Sequence, residues 1–405
     1  MLNPNDGRSP TTLVLSAGPS GVLELAAALR RTLLDGGPAL ALVPGYAPPG
    51  VAALSRDCVT AGAGAELPED LAVICPTSGS TGAPRGVLLT STNLRASSRI
   101  GDDRLGGPAA WFVALPPTSA GGLVAVTRSV LGPLAPTAWS GVGGASRFAA
   151  AGFLAELAAF VDKVAAAGVS ARVSLVPTQL ARLLDHPGGA AVLARLDAVL
   201  VGGGPMSPDL WARARAAEVP VVRSYGMTET TGGCAFDGRP LDRVEVSIGS
   251  DSQIRVAGPT VAAGYLHPPA RPGMTFDGDS VWTGDRGALR DGRLTVFGRI
   301  DDVVAVRGSN VDRGAVELLL LGCPGVSEAA VTAVEHGTDG WRLVAFTVGD
   351  PDPDRLRTNV AESLGLAAVP TIVAVESLPR LPGGKVDLPS LKAEARLQLD
   401  REREK

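Results

Sequence analysis

Apolar runs and amphipathic stretches alternate along the first half of the chain, in the order typical of an α/β fold. Thr11 to Leu15 and Ala39 to Val43 predict strands on either side of a helix from Gly21 to Leu33. The alternation is clearest between residues 173 and 225, where the predicted strands are 173–176, 198–201 and 219–223. Because consecutive units of this kind cross over right-handed, the sequence predicts a parallel sheet with ligands at the carboxyl ends of its strands.

Two of these predicted strand ends have an unusual composition. One continues into Gly202-Gly203-Gly204, and the other into residues 224–231, which combine a tyrosine, hydroxyl groups and a carboxylate. We expect both segments to be loops beside a ligand site. The glycine run does not match G-x-G-x-x-G, so it predicts no dinucleotide fingerprint. Read alone, residues 224–231 are equally consistent with an ordinary polar loop around a buried tyrosine.

A stretch rich in glycine and hydroxyl groups, Pro76 to Gly86, lies between the apolar runs 71–75 and 87–89. Glycine lets the backbone approach a ligand closely, and hydroxyl and backbone N–H groups suit phosphate oxygens. Arg85 adds a fixed positive charge. The P-loop pattern G-x-x-x-x-G-K-[ST] does not fit in any register, which argues against a Walker-type NTPase. The alternative is a flexible hairpin loop.

After residue 233 the pattern changes to short strands, which predict a β subdomain. Asp291-Gly292 predicts a type I′ turn in a tight hairpin, and Thr283-Gly284-Asp285 is expected on the loop before it. A charged junction from Gly298 to Asp302 separates the hairpin from an α+β pattern. We therefore predict a large N-terminal domain, residues 1–298, of layered α/β sheets with a β subdomain. A small mobile α+β domain, residues 299–405, follows.

Composition excludes several classes of protein. A chain of 405 residues with 45% hydrophobic content can fill two or three domains. A net charge of −4 without a basic block predicts no nucleic-acid partner. The four cysteines have no C-x-x-C spacing and the three histidines are scattered, so the sequence predicts no metal cluster. We expect neither a signal peptide nor a membrane span, and a reducing, cytoplasmic location.

Lysine is scarce in this chain. Only four of the 37 basic residues are lysines. One of them, Lys385, lies in the loop segment Leu381-Pro382-Gly383-Gly384-Lys385. A lysine retained in a loop of a chain that otherwise uses arginine is a candidate functional residue.

Five segments occur in the order and at about the separations of the core motifs of the acyl-adenylate-forming enzymes, which include acyl-CoA ligases, adenylation domains and luciferases. The segments are Pro76 to Gly86, Tyr225 to Thr230, Thr283 to Asp285, Gly298 to Glu317 and Leu381 to Asp387. Within that family the chain most resembles the o-succinylbenzoate:CoA ligases of menaquinone biosynthesis, over nearly its whole length. The residues that carry this resemblance are 103–108, 196–205 and 222–234.

The resemblance implies a two-step ligase that uses ATP, Mg²⁺ and CoA. A carboxylate attacks the α-phosphate of ATP to give an acyl-adenylate, and the CoA thiol then displaces AMP. Such a reaction needs phosphate charge to be neutralised rather than an acid–base pair, so the scarcity of histidine is no obstacle. The resemblance also leaves a homodimer open.

Site residues follow from the resemblance position by position. It implies that Tyr225 lies against adenine, Asp285 and Arg299 bind the ribose, Thr228 contacts the α-phosphate, Glu229 holds Mg²⁺ and Lys385 is catalytic. The residues implied to hold the β- and γ-phosphates are Thr77, Ser78, Ser80, Thr81 and Arg85, and Gly79 and Gly82 are also implied to bind ATP. Those implied at the acyl pocket are Ser119, Gly122, Gly202, Gly203, Gly204 and Gly226. Asp301 matches the hinge between two arrangements of the domains.

Two positions depart from the family pattern. Arg85 stands where the family usually has lysine, an exchange of one phosphate-binding cation for another. Ser119 stands where related ligases have a histidine beside the acyl pocket. This second departure leaves open a related ligase or stand-alone adenylation enzyme for another carboxylic acid. A catalytically silent nucleotide-binding protein is disfavoured because Glu229, Asp285, Arg299 and Lys385 are all present.

Overall fold

The computed structural model describes residues 9–60, 66–77, 84–144, 148–267, 274–306, 308–335, 340–380 and 386–403. Its strands are β1 (Thr11–Leu15), β2 (Leu40–Pro44), β3 (Leu71–Thr77), β4 (Arg85–Thr90), β5 (Ala110–Val113), β6 (Thr137–Ala138), β7 (Ala171–Leu175), β8 (Ala198–Gly202), β9 (Val221–Met227), β10 (Gly232–Phe236), β11 (Arg239–Pro240), β12 (Glu245–Ile248), β13 (Gln253–Ala257), β14 (Gly264–Tyr265), β15 (Thr275–Asp277), β16 (Ser280–Arg290), β17 (Arg293–Arg299), β18 (Val303–Val306), β19 (Ser309–Asp312), β20 (Val326–Glu335), β21 (Trp341–Gly349) and β22 (Thr371–Ala374). Its helices are α1 (Gly18–Leu34), α2 (Pro49–Val59), α3 (Ser91–Arg104), α4 (Ala120–Leu131), α5 (Ala150–Ala166), α6 (Pro177–Asp185), α7 (Gly189–Leu193), α8 (Pro208–Ala216), α9 (Arg313–Leu321), α10 (Pro353–Leu364) and α11 (Leu388–Arg403).

Two sheets and the helices around them form the α/β part of the molecule. The first sheet has the strand order β1-β2-β3-β4-β14, and its β3–β4 hairpin is antiparallel. The second has the order β11-β10-β9-β8-β7-β5-β6, in which the strands from β9 to β6 are parallel. One apolar core includes residues of both sheets. The predicted parallel sheet is therefore confirmed.

Local sequence signals explain how several elements begin. Ser207 caps α8, since its Oγ accepts a hydrogen bond from the backbone N–H of Leu210 at 3.1 Å, and Pro208 occupies the first turn. In the β16–β17 hairpin, Asp291 and Gly292 have φ values of 51° and 68°, as a type I′ turn requires. Both predictions are confirmed.

Two segments expected to be loops are strands. Residues 224–227 complete β9, which has β8 on one side and β10 on the other, and residues 283–285 lie inside β16. Strand neighbours on both sides provide hydrogen-bond partners that outweigh the turn-like composition of these segments. After β9, a short 3₁₀ turn from Thr228 to Thr230 reverses the chain into β10. The polar side chains of residues 224–227 and 283–285 thus project from strands, whereas Thr228 and Glu229 lie in the turn.

A smaller unit with its own cores follows the β subdomain of β12, β13, β15, β16 and β17. Its sheet has the strand order β20-β21-β22. Helices α9 and α10 pack against this sheet in one apolar cluster, and α11 packs against it in another. The fold is thus a large α/β domain with a β subdomain plus a smaller α+β domain, as predicted. The boundary at 298/299 stays a prediction; it lies between Leu294 of the large core and Val306 of the smaller ones.

None of the helices that the structure describes is long and apolar enough to cross a membrane. All four cysteines are buried, and none forms a disulfide.

Candidate active site

The structure brings Tyr225, Asp285 and Arg299 into one cluster, which we call the ribose cluster after the role predicted for Asp285 and Arg299. Tyr225 on β9 donates a hydrogen bond from Oη to Oδ2 of Asp285 on β16 at 2.9 Å. Arg299, which pairs with Asp285 across the β16–β17 ladder, places Nη1 3.5 Å from Oδ1. Arg299 Nε also donates to Asp301 at 2.7 Å. Three residues predicted separately therefore share one ion-paired, hydrogen-bonded network.

Burial and charge compete within the ribose cluster. Burial raises the pKa of the Asp285 carboxyl group, while the Arg299 charge and the Tyr225 hydrogen bond oppose it. Burial and the neighbouring Asp285 carboxylate raise the pKa of Tyr225, so its hydroxyl remains a donor. Burial lowers the pKa of Arg299, but Asp285 and Asp301 outweigh it and the pKa is raised. Arg299 Nη2 is buried without a hydrogen-bond partner among the described residues, which leaves a donor for a ligand.

A second cluster, the glutamate cluster, joins Glu229 to Arg85 through Tyr265. Glu229 is in the 3₁₀ turn after β9 with 6% of its surface exposed, and its Oε1 accepts a hydrogen bond from Tyr265 Oη at 2.7 Å. Arg85 donates to the same Oη at 3.4 Å, and its guanidinium lies 5.1 Å from the centroid of the tyrosine ring. A carboxylate and a cation thus share the hydroxyl group of one tyrosine.

The described ends of the glycine- and hydroxyl-rich stretch lie beside the glutamate cluster. Thr77 and Arg85 face each other as the last pair described in the β3–β4 hairpin, and the Arg85 N–H donates to Thr77 Oγ1 at 3.3 Å. Thr228 is the first residue of the 3₁₀ turn that carries Glu229. The other predicted phosphate-binding residues, Ser78, Gly79, Ser80, Thr81 and Gly82, and the predicted catalytic Lys385 lie outside the described residues.

Ser119 and Gly122, predicted at the acyl pocket, form the start of α4. The Ser119 Oγ accepts a hydrogen bond from the Gly122 N–H at 3.1 Å and donates to the Pro116 carbonyl oxygen at 2.7 Å. A Cβ on residue 122 would lie 2.0 Å from that same carbonyl oxygen, so only glycine fits. The Ser119 hydroxyl, at the position where the resemblance predicts a histidine, is therefore used as a helix cap.

The other glycines predicted at the acyl pocket lie where β8, β9 and β10 meet. Gly202 ends β8 opposite Ser224 of β9, and Gly203 and Gly204 follow it. At Gly226 a Cβ would lie 2.0 Å from the carbonyl oxygen of Gly232 on β10. This close approach of two backbones requires glycine at residue 226.

Comparison with known proteins identifies the family of this chain. The AMP-binding enzyme family matches residues 55–266, and the AMP-binding enzyme C-terminal domain matches residues 315–385. This chain belongs to the AMP-binding enzyme family. A relative from Mycobacterium tuberculosis (strain H37Rv), the probable 2-succinylbenzoate–CoA ligase, is 37% identical over 389 residues, which cover 94% of this chain and 97% of the relative.

Solved structures share the fold of this AMP-binding enzyme. The amide bond synthetase McbA from Marinactinospora thermotolerans has a TM-score of 0.76 at 23% identity, with 97% of this chain and 91% of McbA covered. The o-succinylbenzoate CoA synthetase MenE from Bacillus subtilis, in complex with the acyl-adenylate intermediate OSB-AMP, has a TM-score of 0.73 at 24% identity, with coverages of 95% and 88%. At these identities the likeness shows the fold alone.

The glutamate cluster of this AMP-binding enzyme fits a magnesium ion that a nucleotide brings with it. Mg²⁺ is usually bound through one or two carboxylates together with substrate phosphates rather than in an all-protein cage. Among the described residues no three His, Cys, Asp or Glu side chains are grouped to hold a metal. Glu229, with Oε1 fixed by Tyr265, matches the single-carboxylate case.

Sequence reasoning missed two tyrosines of the site. Tyr265 lies on the edge strand β14, and Tyr46 Oη lies 2.5 Å from Oγ1 of Thr118, the residue before Ser119. Burial raises the pKa of Tyr46 to about 12. The one available signal was scarcity, since the chain has only three tyrosines and the third is Tyr225. Each of the three makes a side-chain hydrogen bond in or beside the site.

Proposed function

We propose that this chain is an ATP-dependent 2-succinylbenzoate–CoA ligase that forms an acyl-adenylate and then a CoA thioester, with release of pyrophosphate and AMP. The relative with this name is 37% identical across nearly the whole of both chains. The observation that carries the proposal in the structure is the ribose cluster, in which an aromatic ring, a carboxylate and a cation are held together beside Glu229.

In the proposed first step a carboxylate oxygen of the acid bonds to the α-phosphorus, and the bond from that phosphorus to pyrophosphate breaks. Tyr225 would hold adenine, with its ring fixed by the bond to Asp285, while Asp285 and Arg299 would bind the ribose hydroxyls. Thr77 and Arg85 would contact the distal phosphates and Thr228 the α-phosphate. Magnesium, held by Glu229, would neutralise phosphate charge, which is the main electrostatic requirement of such a step.

In the proposed second step the CoA sulfur bonds to the acyl carbon, the bond to AMP breaks, and the thiol proton is released to solvent. Lys385 would act in the first step alone, by contact with the attacking carboxylate and the α-phosphate. Asp301 would be the hinge about which the smaller domain turns between the steps. It lies in a 3₁₀ turn, Ile300 to Asp302, between β17 and β18, and Arg299 binds its side chain.

A second candidate is a ligase or adenylation enzyme of the same family for another acid. The observation that favours it is the use of Ser119 as a helix cap in place of the family histidine. In this second candidate the acceptor of the acyl group is CoA or a carrier protein.

ATP/pyrophosphate exchange with a panel of acids, each with and without CoA, tests the proposal. We expect 2-succinylbenzoate to support exchange better than benzoate, fatty acids or amino acids, and thioester to form only when CoA is present. Exchange with a fatty acid or an amino acid but none with 2-succinylbenzoate would contradict the proposed substrate. No exchange with any acid would favour a silent nucleotide-binding protein.

We also propose a cytoplasmic location and a homodimer. The four unpaired cysteines support a reducing compartment. Cell fractionation tests the location, and light scattering of the purified protein, with a mass of 41.1 kDa for one chain, tests the dimer.

A further inference from the structure

Two arginines and a glutamate connect the large domain to the smaller one. Arg182 on α6 places Nη2 2.9 Å from Oε1 of Glu328, the third residue of β20. Arg380 places Nη2 2.6 Å from Oε2 of the same carboxylate. Helix α6 is packed in the large core and β20 in the smaller cores. One carboxylate oxygen of Glu328 therefore pairs with the large domain and the other pairs with the smaller domain.

These ion pairs are partly shielded from solvent. The side chains of Arg182, Glu328 and Arg380 are 28%, 13% and 20% exposed. A surface ion pair contributes little because water screens it, whereas removal of one partner from a shielded group leaves the other charges uncompensated. Glu328 lies between these limits, and its loss would leave two neighbouring arginines without the carboxylate that separates them.

Arg380 also forms the base of the segment that carries Lys385. Arg380 and Val386 make an antiparallel β-bridge, and the Asp387 N–H donates to the Pro379 carbonyl oxygen at 2.8 Å. Residues 381–385 connect the two sides of this bridge along the chain. Through Arg380, Glu328 thus holds the base of the Lys385 segment, and through Arg182 it holds that base to α6.

We propose that Glu328 is a positioning residue that holds the smaller domain against α6 in the arrangement used for adenylation. The ion pair to Arg182 would have to break before the domain turns for thioester formation. A contact made in only one of two arrangements shifts their populations by its free energy in that arrangement. This inference rests on the proposed function, because it takes Lys385 to act in adenylation and not in the second step.

Glu328→Gln and Arg182→Gln test the inference, with each half-reaction measured separately. We expect carboxylate-dependent ATP/pyrophosphate exchange to fall about five- to tenfold, which corresponds to about 1 to 1.4 kcal/mol. Thioester formation from synthetic acyl-adenylate and CoA should be unchanged or faster. Since both substitutions break the same pair, the double variant should lose less than the product of the two single losses.

Arg213→Gln is the matched control. Its guanidinium pairs with Asp185, the last residue of α6, at 2.5 Å, but this pair lies within the large domain. We expect both half-reactions to keep the parent rates. Equal losses in both half-reactions of Glu328→Gln would show a general structural role and overturn the inference, as would unchanged exchange.

A covalent link gives a readout independent of charge. Cysteines introduced as Arg182→Cys and Glu328→Cys can be joined by a bismaleimide, since the four native cysteines are buried and react slowly. We expect the linked enzyme to keep exchange activity and to lose thioester formation more than tenfold. Retention of both activities would overturn the inference. If Lys385→Ala leaves adenylation unchanged while the linked enzyme still separates the two steps, the proposed role of Lys385 fails and the positioning role of Glu328 stands.

Discussion

The predicted nucleotide side of the site and its predicted acyl side are built by different means. On the nucleotide side, charged and aromatic side chains bind one another, as Tyr225 binds Asp285 and Tyr265 binds Glu229. On the acyl side, Gly122 and Gly226 allow backbones to approach so closely that a Cβ would lie 2.0 Å from a carbonyl oxygen. One half of the site is defined by chemical groups and the other by shape.

This difference explains which half a sequence motif can identify. Only particular residue types supply the charges and hydroxyl groups that bind phosphate and ribose, so a nucleotide site produces a recognisable sequence motif. The shape of an acyl pocket made by glycines and helix caps depends on the residues that pack around it, so a sequence motif does not specify its substrate. The following predictions test the contrast, from the largest expected effect to the smallest.

Lys385→Ala tests whether charge controls the nucleotide side. A flexible ammonium can contact both the attacking carboxylate and the α-phosphate, so its loss should cost about 3 to 4 kcal/mol, or about 10² to 10³ in adenylation rate. Thioester formation from synthetic acyl-adenylate and CoA should remain near the parent rate. Single-turnover assays of each half-reaction give both values.

Lys392→Ala is the control for Lys385→Ala. Lys392 lies on α11, with Nζ 5.1 Å from the ring centroid of Trp341. We expect adenylation by this variant to be normal. If Lys385→Ala also adenylates normally, Lys385 has no part in the mechanism.

Removal of one oxygen atom from each side compares the two halves directly. Tyr265→Phe removes the hydrogen bond to Glu229, and loss of a bond to a charged group should raise the Michaelis constant for ATP and magnesium about tenfold. Tyr46→Phe removes the contact with Thr118 beside Ser119, and should change the constant for the acid instead. Steady-state kinetics and nucleotide binding measured by calorimetry check both.

The same shift in both constants for both tyrosine variants would break the division of the site into two sides. Thermal unfolding of each variant separates a loss of binding from a loss of stability.

Gly226→Ala tests shape on the acyl side. The added methyl group would meet the Gly232 carbonyl oxygen, so overpacking should lower the free energy of unfolding by about 1 to 3 kcal/mol and weaken binding of the acid. Gly204→Ala is the matched control, because the nearest atom to its Cβ would be Pro177 Cδ at 4.0 Å. The free energies of unfolding of the two variants, measured in urea, should differ by most of the loss expected for Gly226→Ala. Equal stability would show that the sheet adapts at residue 226.

Ser119→His restores the family residue and should have the smallest effect. It should change the Michaelis constant for the acid by a few-fold and leave the Michaelis constant for ATP nearly unchanged. Loss of the helix cap should lower the free energy of unfolding by on the order of 1 kcal/mol. Ser207→Ala, which removes the equivalent cap of α8, controls for the stability cost. Equal changes in both Michaelis constants for Ser119→His would remove Ser119 from the acyl side.

Local signals in the sequence determined much of the fold. The Ser207 cap, the Asp291-Gly292 turn and the alternation of apolar runs each involve residues a few positions apart, so short-range hydrogen bonds and packing suffice to specify them. They predicted the parallel sheet, the β subdomain and the smaller α+β domain. They did not predict that residues 224–227 and 283–285 are strands, because pairing with β8 and β10 in the first case, and with β13 and β17 in the second, outweighs a turn-like local composition.

Tertiary structure decided how the residues of the site combine. Tyr225 and Asp285 are 60 positions apart, Glu229 and Tyr265 are 36 apart, and Arg182 and Glu328 are 146 apart. The resemblance named Tyr225, Glu229 and Asp285 one at a time, but sheet register sets which side chains meet across strands, and register is fixed by the whole core. The contacts of Tyr265 with Glu229 and of Glu328 with Arg182 could therefore be identified only from the tertiary structure.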